Sequence, residues 1–167
     1  MNLIREVPRR TARLATVGDT ERPIPMNLAE GLSMLKLVLV LRDDLPRAHA
    51  ANAAAVLGLA LGGRLRDSVA ADAPDASGAL HAGLNPHPVP TLVASEDELR
   101  ELHSRAGQID GAIVVDFNEV ARRSRSYPDY VDALAATKPD DIDYVGLIIL
   151  GPRGPVTKVT KRLQLLR

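Results

Sequence analysis

Two almost uninterrupted apolar runs, LKLVLVL over 35–41 and YVGLIIL over 144–150, constrain this chain more than anything else in it. Such β-prone runs do not suit a strand with one solvated face, because alternate residues would expose large aliphatic side chains; they suit central strands covered on both sides. Helices must supply that cover. The expected class is therefore α/β, a three-layer α/β/α arrangement around a mixed sheet of about four strands. Hydrophobic residues are 46% of the chain and aromatics only 2%, so the core must be built from Leu, Val, Ile and Ala.

The rest of the pattern fits between these runs. Asp43, Asp44 and Leu45 lead into Pro46, which suits the first turn of an alanine-rich helix that Gly62 and Gly63 stop. The 66–90 connection is rich in Ala, Pro, Gly, Asp and His, and a structureless connection of that length marks function or disorder. A short strand over 91–94 meets Ser95 and Glu98, a capping-box pair that opens a helix carrying Leu99, Leu102 and Ala106. Gly107 ends it. The strand over 112–115 then delivers Asp116 to its carboxyl end, the side of an open α/β sheet where ligands gather. Ser126 and Pro128 start a further helix that Pro139 closes, and Gly151 and Pro152 end the second apolar run. Residues 1–33 show no sustained periodicity and are expected to be an extension, with Met34 an alternative start and 34–167 a single domain.

Several classes of chemistry are excluded or disfavoured. With no cysteine, disulfides, thiolate metal sites and a cysteine nucleophile are absent. Lys plus Arg and Asp plus Glu are 21 each, so net charge supplies no long-range attraction to nucleic acid. No apolar run approaches the roughly 18 residues of a membrane span, and the N-terminal region has no apolar signal core. No membrane partner and a cytoplasmic location are expected. His49, His81, His87 and His103 show neither paired helical spacing nor a cluster suited to zinc, and no Gly-rich phosphate loop or Gly-x-Ser-x-Gly elbow occurs. No metal or cofactor is expected.

Candidate residues each have a plain alternative. Asp116 has no evident structural duty and stands as a general base, whereas Asp43 and Asp44 are expected to cap the helix that follows them. Asn52, in a helix expected to be mostly buried, either faces a site or bonds neighbouring backbone. His81 and His87 share the 66–90 connection with Asp72 and Asp75, and either converge on a ligand or are solvated. His103 is given no role, since the other charges of its helix face solvent. The basic tail, with Arg153, Lys158, Lys161 and Arg162, is a phosphate site if Gly154-Pro155 opens a helix, or an ordinary solvated face.

The residues 36–58, KLVLVLRDDLPRAHAANAAAVLG, resemble the opening strand and helix of type II peptidyl-tRNA hydrolases. GAIVVD, ending at Asp116, is similar to the strand that carries that family's essential aspartate, and GLIILGPRGPVTKVTKRLQLL resembles its closing signature. The chain is closer still to a group of bacterial proteins of unknown function with that fold, the DUF two-thousand family. Asp44-Leu45 followed by Asn52, the turn Asp75-Ala76-Ser77-Gly78 with His81 and Pro90, and Gly151-Pro152-Arg153 with Lys158 carry that resemblance. It implies a peptidyl-tRNA hydrolase-like fold.

The chain also departs from the hydrolase pattern. The catalytic lysine is missing, with His49, Ala51 and Asn52 in its region, and Val120 stands where a threonine is expected. Peptidyl-tRNA hydrolysis is thereby put in doubt. The functional expectation is a divergent hydrolase-like enzyme for a small or aminoacyl-like substrate: Asp116 as base, Asn52 orienting, His81 assisting, and Asp44, His49, Asp75, Arg153 and Lys158 binding substrate. The site is expected where strand one ends, the 66–90 connection and Asp116 meet. The alternatives are a non-catalytic ligand-binding or dimerising accessory protein and, third, a tRNA-binding hydrolase.

Overall fold

The computed structural model describes residues 34–65 and 68–167, and the expected 1–33 extension lies outside the described residues. The first apolar run forms β1 (Leu35–Arg42) and the second forms β6 (Tyr144–Pro152), paired antiparallel from Leu35↔Pro152 to Leu41↔Gly146. Around them a five-stranded mixed sheet is completed by β4 (Thr91–Ala94), β5 (Ile113–Asn118) and β7 (Gln164–Leu165), in the order β5-β6-β1-β4-β7. The fifth strand lies in the basic tail, and a two-residue strand is too short for a periodic pattern to reveal.

Both faces are covered, as the apolar runs require. Leu37, Leu39 and Leu41 of β1 pack with Ala53, Leu57 and Leu61 of α1 (Arg47–Gly62). Val38 and Val40 pack on the other side with Leu99, Leu102 and Ala106 of α2 (Glu96–Gly107) and Val156 of α5 (Arg153–Thr160). Each fully buried leucine or valine contributes about 1.5–3 kcal/mol of transfer free energy. The crossovers β1–α1–β4 and β4–α2–β5 run in opposite directions across the sheet, so one handedness sends their helices to opposite faces.

Three shorter elements complete the fold. The helices α3 (Glu119–Arg123) and α4 (Tyr127–Ala135) follow β5, and a 3₁₀ turn spans Pro139–Asp141. The 66–90 connection contains a small antiparallel hairpin, β2 (Ala73–Pro74) with β3 (Leu80–His81).

Local expectations meet mixed outcomes. The capping box is complete: the Ser95 hydroxyl accepts from Glu98 N, while the Glu98 carboxylate accepts from Ser95 N at 2.8 Å. Ser126 caps α4. Asp43 and Asp44, in contrast, do not cap α1. Pro46 occupies the cap position with no side-chain bond, and Asp44 instead takes a 2.7 Å hydrogen bond from Arg42 Nε. Asn52 is exposed, contrary to the expectation of a buried amide, because α1 buries only the narrow stripe of Ala53, Leu57 and Leu61.

Candidate functional site

Asp116 lies within β5 rather than beyond its end, directly across from Leu147 of β6. Leu147 belongs to the core cluster of α2 and α5, so the Asp116 side chain sits on that face. Next along the ladder, Phe117 pairs with Gly146 but Asn118 pairs with Tyr144, which leaves Val145 as the extra residue of a β-bulge. The bulge has a direct consequence for the site. It reverses the alternation of β6, turning Val145 into the α1 face and Tyr144 into the α2 face beside Asp116. Gly146 is required there, since a Cβ at that position would come within 2.8 Å of Leu41 Cδ2 and 2.9 Å of the Val40 carbonyl.

On the facing helix, His103 is one turn beyond Leu99 and flanks the buried stripe. Its ring stacks on Tyr144 with centroids 4.6 Å apart, and its Nδ1 is 3.2 Å from the Tyr144 hydroxyl. Its Nε2 is 3.9 Å from Asp116 Oδ1, within ion-pair reach though too long for a hydrogen bond. A carboxylate only accepts hydrogen bonds, so the consistent tautomer turns Nε2–H toward Asp116 and lets Nδ1 accept the tyrosine proton. The other carboxylate oxygen accepts from Asn118 Nδ2 at 2.9 Å, while Asn118 Oδ1 caps α3 by accepting from Ala121 N.

Exposure divides these groups by task. The Asp116 and His103 side chains are 33% and 37% exposed, so a solute can reach both, while Tyr144 is buried. Burial and then the charge of Asp116 raise the Tyr144 pKa, so its hydroxyl keeps its proton. The arrangement sets a solvent-reachable carboxylate and imidazole side by side, with the phenol hydrogen-bonded to the imidazole.

Beside it, Glu119 is buried and accepts from Arg122 at 2.6 Å and Arg123 at 3.1 Å, with Arg42 at 3.5 Å from across the sheet. The hydrogen bonds and charge of Arg122, with Arg123 and Arg42, hold its carboxyl below the usual range against the opposing cost of burial.

The structure does not gather the other expected residues around Asp116. Asn52 is on α1, which covers the opposite face, and His49 is exposed near the start of that helix. Asp44 is committed to Arg42. His81 and Asp75 sit together in the β2–β3 hairpin, 3.4 Å apart and exposed. The connection carrying them reaches β4 through Pro90, whose carbonyl accepts from Leu39 N of β1, whereas Asp116 is on β5, three strands from β4 in the sheet order. Arg153 lines a pocket with Lys36 and His87, whereas Lys158 lines another with Arg105, Lys161 and Arg162. Among the described residues no three His, Asp or Glu side chains converge as metal ligands, and no helix is long and apolar enough to cross a membrane.

The sequence alone singles out neither His103 nor Tyr144. The available signal was the helical spacing that sets His103 one turn from Leu99.

Residues 35–167 match the profile of a family described as protein of unknown function (DUF2000). No curated protein matches the chain. Among solved structures, a protein of unknown function from Agrobacterium tumefaciens is similar, with a TM-score of 0.73 at 22% identity over 80% of this chain and 98% of that one. At that identity the likeness concerns the fold alone.

Proposed function

We propose, from the premise that this chain belongs to the DUF2000 family of proteins of unknown function, that residues 34–167 act as one divergent hydrolase-like domain on a type II peptidyl-tRNA hydrolase-like scaffold. The substrate class is a small or aminoacyl-like ester or amide. The observation that carries this reading is the meeting of two solvent-reachable proton-transfer groups, Asp116 and His103, over a buried tyrosine hydroxyl. His103 thus takes the assisting role first given to His81.

The chemistry follows from positions. Asp116 takes a proton from water as its oxygen bonds to the acyl carbon, the bond to the leaving oxygen or nitrogen breaks, and the proton passes to that atom. His103, backed by Tyr144, donates to the acyl oxygen as its charge develops, the duty that the missing lysine leaves open. Arg42 is committed to Asp44 and Glu119.

The test uses p-nitrophenyl esters of N-acetyl amino acids, with Asp116→Asn and His103→Gln compared at matched folding. A loss of about 100-fold or more in kcat/KM for each, with unchanged melting, is expected. Absence of turnover by the native chain, or full turnover by both variants, overturns the reading.

A second reading, a non-catalytic ligand-binding or dimerising protein, is favoured by one observation: Asp116 also orients the Asn118 cap of α3. On that reading Asp116→Asn lowers stability and no ester is turned over. A tRNA partner stands third, because Glu98 and Glu101 interleave with Lys158, Lys161 and Arg162 around the same surface pocket. Binding to tRNA that ignored salt would count against it.

A further inference from the structure

The five-stranded sheet has two edges of different make. β7 ends one with two residues, the short kind of edge strand that discourages pairing. The other is β5, six residues long, with no Pro or Lys and with Asp116 as its one charge. Ile113, Val114, Val115 and Asp116 are only partly buried, whereas Phe117 and Asn118 are buried.

The ladder fixes which backbone groups of β5 face outward. Leu39 N donates to the Pro90 carbonyl at 3.1 Å, so odd residues of β1 turn their backbone groups to β4 and even ones to β6. Val38↔Ile149 and Val40↔Leu147 are therefore the bonded pairs between β1 and β6. On its other side β6 bonds β5 through Leu150 with Ile113 and Ile148 with Val115. The N–H and C=O of Val114 and of Asp116 thus point away from the sheet, and no other backbone group of the described residues bonds them. Such groups are strong donors and acceptors, and a row of them is a template for another strand.

Side chains say what kind of strand fits. Ile113 and Val115 pack on the α1 face, so an added strand meets an apolar row there. On the α2 face stands Asp116, its side chain 33% exposed. Directly opposed residues of a bonded pair have Cα atoms about 5.5 Å apart and project to the same face, so an opposite charge across from Asp116 stabilises and a like charge repels. A second copy of this chain fits poorly. Two-fold antiparallel pairing joins outward-facing residues only, which along the part-exposed stretch sets Asp116 against Asp116, Val114 or Ala112 of the other copy. The first repels, and the other two cannot bond a carboxylate that the contact would bury.

We propose that the edge of β5 docks an extended segment of a partner polypeptide by strand addition, with a Lys or Arg opposite Asp116 and apolar residues opposite Ile113 and Val115. Backbone bonds to Val114 and Asp116 supply the affinity and the charge pair supplies the selection. The inference goes beyond the reading of Asp116 as a base and stands without it, since binding is what it claims.

The test titrates the full chain with acetyl-Ser-Val-Lys-Val-Ser-amide and follows amide exchange along β5. Binding in the millimolar range is expected, with slower exchange at Val114 and Asp116. The same peptide with Glu for Lys should bind about fivefold more weakly, a preference that Asp116→Asn removes. Val114→Pro should weaken binding about tenfold or more; because that N–H faces outward, the ladder to β6 loses no bond. Should that variant not fold, the fully N-methylated peptide, which has no N–H to donate, decides by showing the same loss on the native chain. The proposal is overturned by no binding of the Lys peptide, or by equal binding of the Lys and Glu peptides. It is equally overturned if the Val114 and Asp116 amides are already protected in the free protein, whether by a second copy or by another part of the chain.

Discussion

Asp116 with His103 and Asp75 with His81 are the same two side-chain types at similar separations, 3.9 and 3.4 Å, but they are held in different ways. The first pair joins a strand to a helix and is backed by a buried tyrosine and a bulge that aims it. The second closes within one hairpin, where Asp75 Oδ1 already accepts from Ser77 N at 2.7 Å, Ser77 Oγ at 2.6 Å and Ala79 N at 3.1 Å. Its carboxylate is occupied with shaping a turn, and the His81 side chain is 70% exposed. A chemical site needs groups whose positions are set by the fold and whose bonding capacity is not already spent. The first pair meets that condition and the second does not.

The largest structural effect should come from the anchor of the first region. Glu119→Ala leaves the Arg42 guanidinium, 16% exposed, without its cross-sheet partner. Arg122 and Arg123 can turn to solvent, so the cost should be about 2 kcal/mol rather than the 3–5 of a fully buried pair. Urea denaturation measures it. Asp75→Ala should leave the same midpoint unmoved, and equal losses in the two variants would break the contrast.

Next in size is Tyr144→Phe, which removes the hydroxyl from His103 while keeping the stacked ring; about 1 kcal/mol is expected. Its pH signature sharpens the assignment. Because the folded Tyr144 pKa is raised above its usual 10.0, the folded state holds the proton more tightly than the unfolded one. The contribution is therefore complete below about pH 10 and is lost as pH climbs through the folded value. The stability difference between native chain and variant should shrink above that pH. A difference constant across the alkaline range would show that the hydroxyl is not held by burial.

These contrasts explain what the chain discloses on reading. The core strands and the Ser95–Glu98 box were legible because periodicity and capping are local, and Asp116 was legible because an apolar strand delivers it. Tyr144 was not, since the residue-long slip at Val145 that reverses its face depends on pairing between β5 and β6. His103 was obscured by the charges around it on α2. Asn52 misled because alanines tolerate exposure as readily as burial, so the composition of α1 hid how narrow its buried stripe is. Asp75 and His81 drew notice because they are close in sequence, which produces local turns more readily than sites.

The smallest effect tests the hairpin from the acid side. The hydrogen bonds from Ser77, first through its hydroxyl and then its backbone, followed by those from His81 and Ala79, lower the Asp75 pKa from 3.8 to about 2. A depressed carboxyl pKa gives stability that is present above the unfolded value and lost as pH falls through the folded one. The Asp75–Ser77 turn should therefore loosen between pH 3.8 and about 2. Because its bonds are local and exposed, the opening should show as faster amide exchange at Ser77 and Ala79, not as unfolding of the sheet. In Asp75→Asn the same amides should exchange at a rate with no such acid limb. If acidification in that range instead released the amides of β1 and β6 together with the hairpin, the two aspartate–histidine pairs would belong to one cooperative unit and the distinction between them would fail.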